Sequence, residues 1–244
     1  MNIKIEQLRV GYGKKQILSD VSLYIPTKKI TAIVGQSGCG KSTLLKSINR
    51  IIEEDGGKIE GKIILDGRDT TDIPKEELRK NIGLVFQQPI VFPYSIEKNI
   101  AYVLNYHFNL DKQEVQKRTK YYLEVAKLYD EVKANLKMPA NRLSGGQQQR
   151  LAIARSLCVE PKVLLLDEPC SALDMKNTIA IENMLLELKD NYSIVIVTHN
   201  LAQAKRVADQ VVFMDKGKII EISDKEMFFE EPKTDLAREY IKYM

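Results

Sequence analysis

The 244 residues suffice for one large domain with an ample core, and 44% hydrophobic with 29% charged residues excludes a disordered or low-complexity chain. Lys and Arg total 37 against 33 Asp and Glu, a formal charge of +4 with both signs interspersed, which excludes the basic stripe of a nucleic-acid binder. No run approaches the roughly eighteen consecutive apolar residues of a membrane span, and the N-terminus alternates like a strand, so the expectation is a soluble chain without a leader.

In chain order, apolar alternation predicts strands near Ile3 to Val10 and Val21 to Ile25, and a continuous apolar run predicts a buried strand at Ile30 to Val34. Helical spacing follows at Leu44, Leu45, Ile48, Ile51 and Ile52. "GKIILDG", with a strand near Lys62 to Leu65, reads as part of an antiparallel hairpin layer, and Gly83 to Phe86 as another strand. Between Pro93 and Arg155 no strand is evident, and Val115, Thr119, Tyr122, Leu123 and Ala126 keep helical spacing. Strands resume at Val163 to Leu166, Ser193 to Val197, Val211 to Met214 and Lys218 to Ile222, with a helix through Ile181, Met184, Leu185 and Leu188. The runs "ITAIV", "VLLLD" and "SIVIVT" do not alternate, which implies a parallel sheet covered on both faces. The tail "FFEEPKTDLAREYIKYM" reads as a packed terminal helix through Leu236, Tyr240 and Ile241. Cys39, Cys158 and Cys170 form no CxxC pair and cannot all be bridged to one another, which fits a reducing interior; a redox role for Cys39 is left open.

The stretch "GQSGCGKST" places Gly35, Gly40, Lys41 and Ser42 in the pattern G-x-x-x-x-G-K-[ST], between a buried strand and an amphipathic helix. Glycines let successive backbone N–H groups turn inward to cradle phosphate oxygens, and the following helix adds its positive dipole end. Gly35, Gln36, Ser37, Gly38, Cys39, Gly40, Lys41, Ser42 and Thr43 are thus candidate nucleotide-binding residues. Lys41 is expected to bridge the β- and γ-phosphates and Ser42 to ligate Mg²⁺. Such a site needs a carboxylate at the end of a second buried strand, which "VLLLDEP" supplies. Because strand side chains alternate, Asp167 is expected to face the metal and Glu168 to act as general base on a water in line with the γ-phosphate.

"LSGGQQQRLAIARSL", from Leu143 to Leu157, resembles the signature motif of the ATP-binding cassette (ABC) ATPases, and the resemblance then covers nearly the whole chain. It implies that Tyr12 stacks on adenine, that Gln87 in "VFQQP" is the Q-loop glutamine near Mg²⁺, and that Asp174 in "SALD" belongs to the D-loop. It implies also that His199 in "IVTHN" is a switch histidine beside the γ-phosphate. Ser144, Gly145, Gly146 and Gln147 form a second anion site ahead of a helix, which in the family closes on the nucleotide held by the opposite subunit of a homodimer. The implied fold is an α/β P-loop NTPase core, residues 1–88 and 160–244, with a mainly parallel sheet, an N-terminal antiparallel β layer and an inserted helical subdomain, residues 89–159. The implied ligands are ATP and Mg²⁺. The implied partners are integral membrane permease subunits and, indirectly, an extracytoplasmic solute-binding protein, with this chain peripheral on the cytoplasmic face of the membrane.

"FPYSIEKNIAY", "LLLDEPCSALD" and "LKDNYSIVIVTHN" are most similar to the ATP-binding subunits of bacterial high-affinity phosphate importers. The chain departs from that pattern at Met175, where a Pro usually follows, and in a shorter "INRIIEEDGGKIEG". An importer of another solute such as polar amino acids, or a soluble iron–sulfur assembly ATPase, stays as the alternative. "IVFPYS" is apolar and aromatic where a loop is usually polar, so it is expected either to dock the permease or to be buried within the domain.

Overall fold

The computed structural model describes residues 1–242. Its ten strands, in chain order, are β1 (Ile3–Tyr12), β2 (Lys15–Ile25), β3 (Ile30–Val34), β4 (Lys58–Leu65), β5 (Arg68–Asp69), β6 (Ile82–Val85), β7 (Val163–Asp167), β8 (Ser193–Val197), β9 (Gln210–Asp215) and β10 (Lys218–Asp224). The α-helices are α1 (Lys41–Ile48), α2 (Lys75–Asn81), α3 (Ile96–His107), α4 (Lys112–Val125), α5 (Tyr129–Val132), α6 (Gly145–Leu157), α7 (Met175–Leu188), α8 (Leu201–Val207), α9 (Lys225–Glu230) and α10 (Asp235–Ile241).

The strands form two sheets, an antiparallel one in the order β2-β1-β4-β5 and a six-stranded one in the order β10-β9-β3-β8-β7-β6. In the larger sheet β9, β3, β8, β7 and β6 run parallel, and only β10 is antiparallel to its neighbour. Every residue of β3, β7 and β8 is buried, as their unbroken apolar runs require.

The same alternation splits each run between two cores. Ala32, Leu164, Leu166, Ile194 and Ile196 join a cluster built with α3, α4, α6, α7 and α8. Ile33, Leu165, Val195 and Val197 join a second cluster with Leu44, Leu45 and Ile48 of α1 and the inner face of the antiparallel sheet. Helix α1 is therefore held between two sheets. Helices α3 to α6 follow one another without a strand, and their apolar faces share the first core with the parallel sheet.

Several local details differ from the periodicity, and strand β2 begins at Lys15, six residues before the expected start. The spacing through Ile51 and Ile52 continues past the end of α1, yet Arg50 adopts φ 57° and the chain restarts as a single 3-10 turn, Ile51–Glu53. Strand β4 begins at Lys58, four residues early. It is kinked at Gly61 (φ 92°), where a Cβ would lie 2.5 Å from the Gln7 carbonyl oxygen and where the β1–β4 register shifts. In the C-terminal helix, Tyr240 stacks on Phe213 with ring centroids 4.8 Å apart, as a packed helix requires, but Leu236 faces outward. The last two residues of the expected tail, 243–244, lie outside the described residues.

Candidate functional site

The order β3-β8-β7-β6 brings four carboxyl ends into one row, the place where open parallel sheets bind ligands. Gly35 follows β3, Thr198 and His199 follow β8, Asp167 ends β7 and Glu168 follows it, and Gln87 stands two residues beyond β6.

At the first of these ends the chain wraps residues 35–40 into a loop that only glycine permits at two points. A Cβ on Gly35 (φ 152°) would lie 2.2 Å from the Met214 carbonyl oxygen, and one on Gly40 (φ 107°) 2.7 Å from Leu18 Cδ2. Gly40 is also the N-cap of α1, and no side chain caps that helix. Its first-turn N–H groups are left without side-chain acceptors and carry the positive end of the helix dipole, so the loop suits an anion. Lys41 is buried, with its Nζ donating to the carbonyl oxygens of Gly35 (2.8 Å) and Gln36 (2.9 Å). Its cationic end therefore sits over the loop. Cys39 is also buried, and burial pushes its thiol up despite the nearby Lys41, the opposite of what a reactive thiolate needs.

The Ser42 hydroxyl donates to Asp167 Oδ1 at 2.8 Å. Asp167 is 6% exposed, and burial raises its carboxyl above the ordinary value against the lowering effect of the Ser42 hydroxyl. A hydroxyl oxygen and a carboxylate oxygen at hydrogen-bond distance, beside an anion-suited loop, are the hard donors that Mg²⁺ takes when substrate oxygens and water complete its shell.

The neighbouring carboxylate goes elsewhere, and strand alternation is not the whole reason. Glu168 lies past the end of β7 with φ 43°, a left-handed conformation uncommon for a residue with a side chain. Its Oε2 accepts from Gln87 Nε2 at 3.2 Å and contacts His199 Nδ1 at 3.0 Å. Gln87 Nε2 also donates to Ser171 Oγ at 3.2 Å. Gln87, Glu168 and His199, from three strand ends, thus form one cluster, and among the described residues no hydrogen bond to Gln88 competes. Gln87 joins this cluster and makes no hydrogen bond to Ser42 or Asp167 among the described residues.

Tyr12 closes β1 opposite Lys15 and is half-buried against the second core. Ser144 is the N-cap of α6 in a complete capping box: Gln147 N donates to Ser144 Oγ, and Ser144 N donates to Gln147 Oε1 at 3.0 Å. The hydroxyl assigned to a second anion site thus accepts within the chain and keeps its O–H as a donor, and the Gly145 and Gly146 amides precede the first intrahelical bond. Asp174 is the N-cap of α7, accepting from Asn177 N at 2.8 Å, and that hydrogen bond holds its carboxyl below the usual range. Among the described residues no hydrogen bond joins Ser144, Gly145 or Gly146 to residues 35–43.

Two buried polar residues of α6 escaped sequence reasoning because "GQQQR" looks like a solvated face. Gln149 and Arg150 are 1% and 2% exposed. Arg150 forms a bidentate pair with Glu131 (2.8 and 3.0 Å), which holds the Glu131 carboxyl below its usual range.

The ABC transporter family model matches residues 18–171. The chain belongs to the ABC transporter family. It is 46% identical over 242 residues to the phosphate import ATP-binding protein PstB of Shewanella denitrificans, covering 98% of this chain and 89% of that relative. Among solved structures, CbiO1 from Clostridium perfringens, described as part of the ABC transporter complex CbiONQ, superimposes with a TM-score of 0.81 at 31% identity, covering 94% of this chain and 90% of that one. The ATP-binding cassette MJ0796, solved as a post-hydrolysis dimer bound to ADP and Pi, gives 0.79 at 30% identity, covering 91% and 98%. The expected α/β architecture, with its antiparallel layer and parallel-rich sheet, is that of these ABC neighbours. No helix among the described residues is long and apolar enough to cross a membrane.

Proposed function

We propose that the chain is the ATP-hydrolysing subunit of a phosphate importer, peripheral on the cytoplasmic face of the membrane and bound there to separate permease subunits. The observation that carries the hydrolytic part is the division of labour between adjacent carboxylates, Asp167 on Ser42 and Glu168 on His199 and Gln87. The solute assignment rests on the 46% identity, over nearly the whole chain, to a phosphate import ATP-binding protein.

In this reading the amides of the loop 35–43 and the end of α1 hold the phosphates of ATP. Lys41 exchanges the Gly35 and Gln36 carbonyls for β- and γ-phosphate oxygens, and Tyr12 stacks on the adenine. Ser42, Asp167 and Gln87 would hold Mg²⁺. When bound, the cation neutralises charge developing on the transferred phosphoryl group. Glu168 takes the proton of the attacking water, and His199, hydrogen-bonded to Glu168, keeps that carboxylate aimed and contacts the γ-phosphate. The turn Ser144 to Gln147, with Asp174, meets the nucleotide of a second copy, so ATP favours a closed pair and hydrolysis reopens it. Residues 1–88 and 160–244 act as the nucleotide core and 89–159 as the helical subdomain.

The permease is proposed to dock at the loop following Gln87. Ile90 and Tyr94 are exposed, Phe92, Tyr94 and Tyr102 pack their rings together at 5.6 to 6.3 Å, and Arg155 lies over Phe92 at 4.1 Å. A cleft of about 250 Å³ lined by Lys80, Leu84, Val103, His107 and Arg155 opens between core and helices nearby.

The test is uptake of radiolabelled phosphate under phosphate limitation by cells lacking this chain. Uptake should collapse and return with the wild-type gene but not with Glu168→Gln; undiminished uptake removes the phosphate assignment, and a concurrent loss of polar amino-acid uptake would transfer the solute.

A further inference from the structure

Asn177, in the first turn of α7, was singled out by no motif, yet its amide uses both of its hydrogen-bonding roles. Its Nδ2 donates to Asp174 Oδ1 (3.0 Å) and Oδ2 (2.9 Å), and its Oδ1 accepts from Arg150 Nη2 (3.0 Å). The α6 side is equally committed. Arg150 Nε points at the Gly146 carbonyl (3.4 Å), Nη1 donates to the Lys127 carbonyl (2.6 Å) and to Glu131, and Nη2 is shared between Glu131 and Asn177. Gln147 Nε2 donates to the same Glu131 carboxylate at 2.9 Å. Contact is also steric, because a Cβ on Gly146 would lie 2.3 Å from Asn177 Cγ. No Cβ fits at position 146 while the asparagine lies against it.

We infer that Asn177 is a positioning residue that locks the turn Ser144 to Gln147 and the aspartate Asp174 into one rigid unit, so that the two segments facing a second copy move together. The inference rests on the reading of this chain as an ATP-driven pair. The chemistry selects the side chain. Leucine has the branching of asparagine and can make none of these bonds. Aspartate keeps an acceptor for Arg150, offers no donor, and sets a second carboxylate beside Asp174. Losing the Oδ1 contact leaves the buried Arg150 Nη2 with Glu131 alone, and losing the Nδ2 contacts leaves the exposed Asp174 carboxylate held only by the Asn177 backbone N–H.

Amide hydrogen exchange on the nucleotide-free chain separates these cases segment by segment. Asn177→Leu should speed exchange about tenfold in both residues 145–150 and residues 174–178, with residues 38–45 unchanged. Asn177→Asp should loosen residues 174–178 and leave residues 145–150 within about twofold of the parent, a split that general loss of stability would not produce. In a Glu168→Gln background the Leu variant should need about tenfold more protein for ATP-driven pairing, while ATP affinity of the dilute single chain stays within about twofold. Parental exchange in both variants, or equal loosening of all three segments, overturns the positioning role. Failure of the Glu168→Gln parent itself to pair with Mg-ATP sinks the functional reading instead, and the exchange pattern still decides Asn177.

Discussion

Replacing Glu168 by Gln is the sharpest test of the chemistry, because the site should keep its shape and lose one charge. Glu168 Oε2 makes both contacts, and glutamine Oε1 in its place can accept from Gln87 Nε2 and, in the tautomer with Nδ1 protonated, from His199. Ser42 and Asp167, bonded to each other and not to Glu168, are untouched. What disappears is the base. General-base contributions of about 10²- to 10⁴-fold correspond to roughly 3 to 5.5 kcal/mol of barrier, so kcat should fall in that range with the KM for ATP nearly constant. The assay is phosphate release under saturating Mg-ATP, paired with sedimentation to detect the closed pair that slow hydrolysis should accumulate. Lys41→Ala is the contrast, since it removes the cation over the loop and should weaken nucleotide binding itself. Turnover by the Glu168 variant within threefold of the parent would show that another group takes the proton.

Two further variants probe how the site is held. Asp167 is buried with its carboxyl raised above the unfolded value, so between those two values the folded chain holds the proton that the unfolded chain has released, and stability falls as pH rises. At neutral pH that penalty is fully present. Asp167→Asn, whose amide oxygen can still accept from Ser42, should therefore raise the thermal midpoint of the free chain, by about 2–4 °C for each 1 kcal/mol gained. The gap should close as pH is lowered below the carboxylate range, and Mg-ATP should no longer stabilise the variant; a gap independent of pH would refute the burial argument. Gly40→Ala should lose ATP binding and destabilise the fold, because its φ of 107° and the 2.7 Å approach of Leu18 Cδ2 leave no room for a methyl group. Wild-type ATP affinity by calorimetry would refute it.

What could be read before the fold was known depended on how local the cause was. The loop 35–43 and the carboxylates at the end of β7 each sit within a short stretch that contains both the motif and the buried strand before it. The meeting of Gln87, Glu168 and His199 needs the strand order β3-β8-β7-β6, which no periodicity encodes. The capping box at Ser144 is legible in the sequence, as a Ser followed three residues later by Gln at a helix start. Burial of Arg150 was not legible, because a charged residue is taken inside only where partners distant in sequence, here Glu131 and Asn177, satisfy its guanidinium.

A common feature of the side chains at the strand ends is that each already has a partner within the chain in the absence of ligand, whereas the first-turn amides of α1 have no side-chain acceptor. Lys41 has carbonyls, Ser42 has Asp167, and Glu168 has Gln87 and His199. Binding in the proposed cycle is then an exchange of partners, and the net gain per exchanged hydrogen bond is about 1 kcal/mol, not the several kcal/mol of a bond formed from nothing. That suits a machine that must release its product. Orphaned side chains would add to the hold on nucleotide and slow reopening, whereas side-chain donors with internal acceptors waiting can return to the free state at little cost. The closed pair would then depend on the γ-phosphate, the one group that reaches both copies, and removing it by hydrolysis would leave each chain more stable with its own contacts than with its neighbour's.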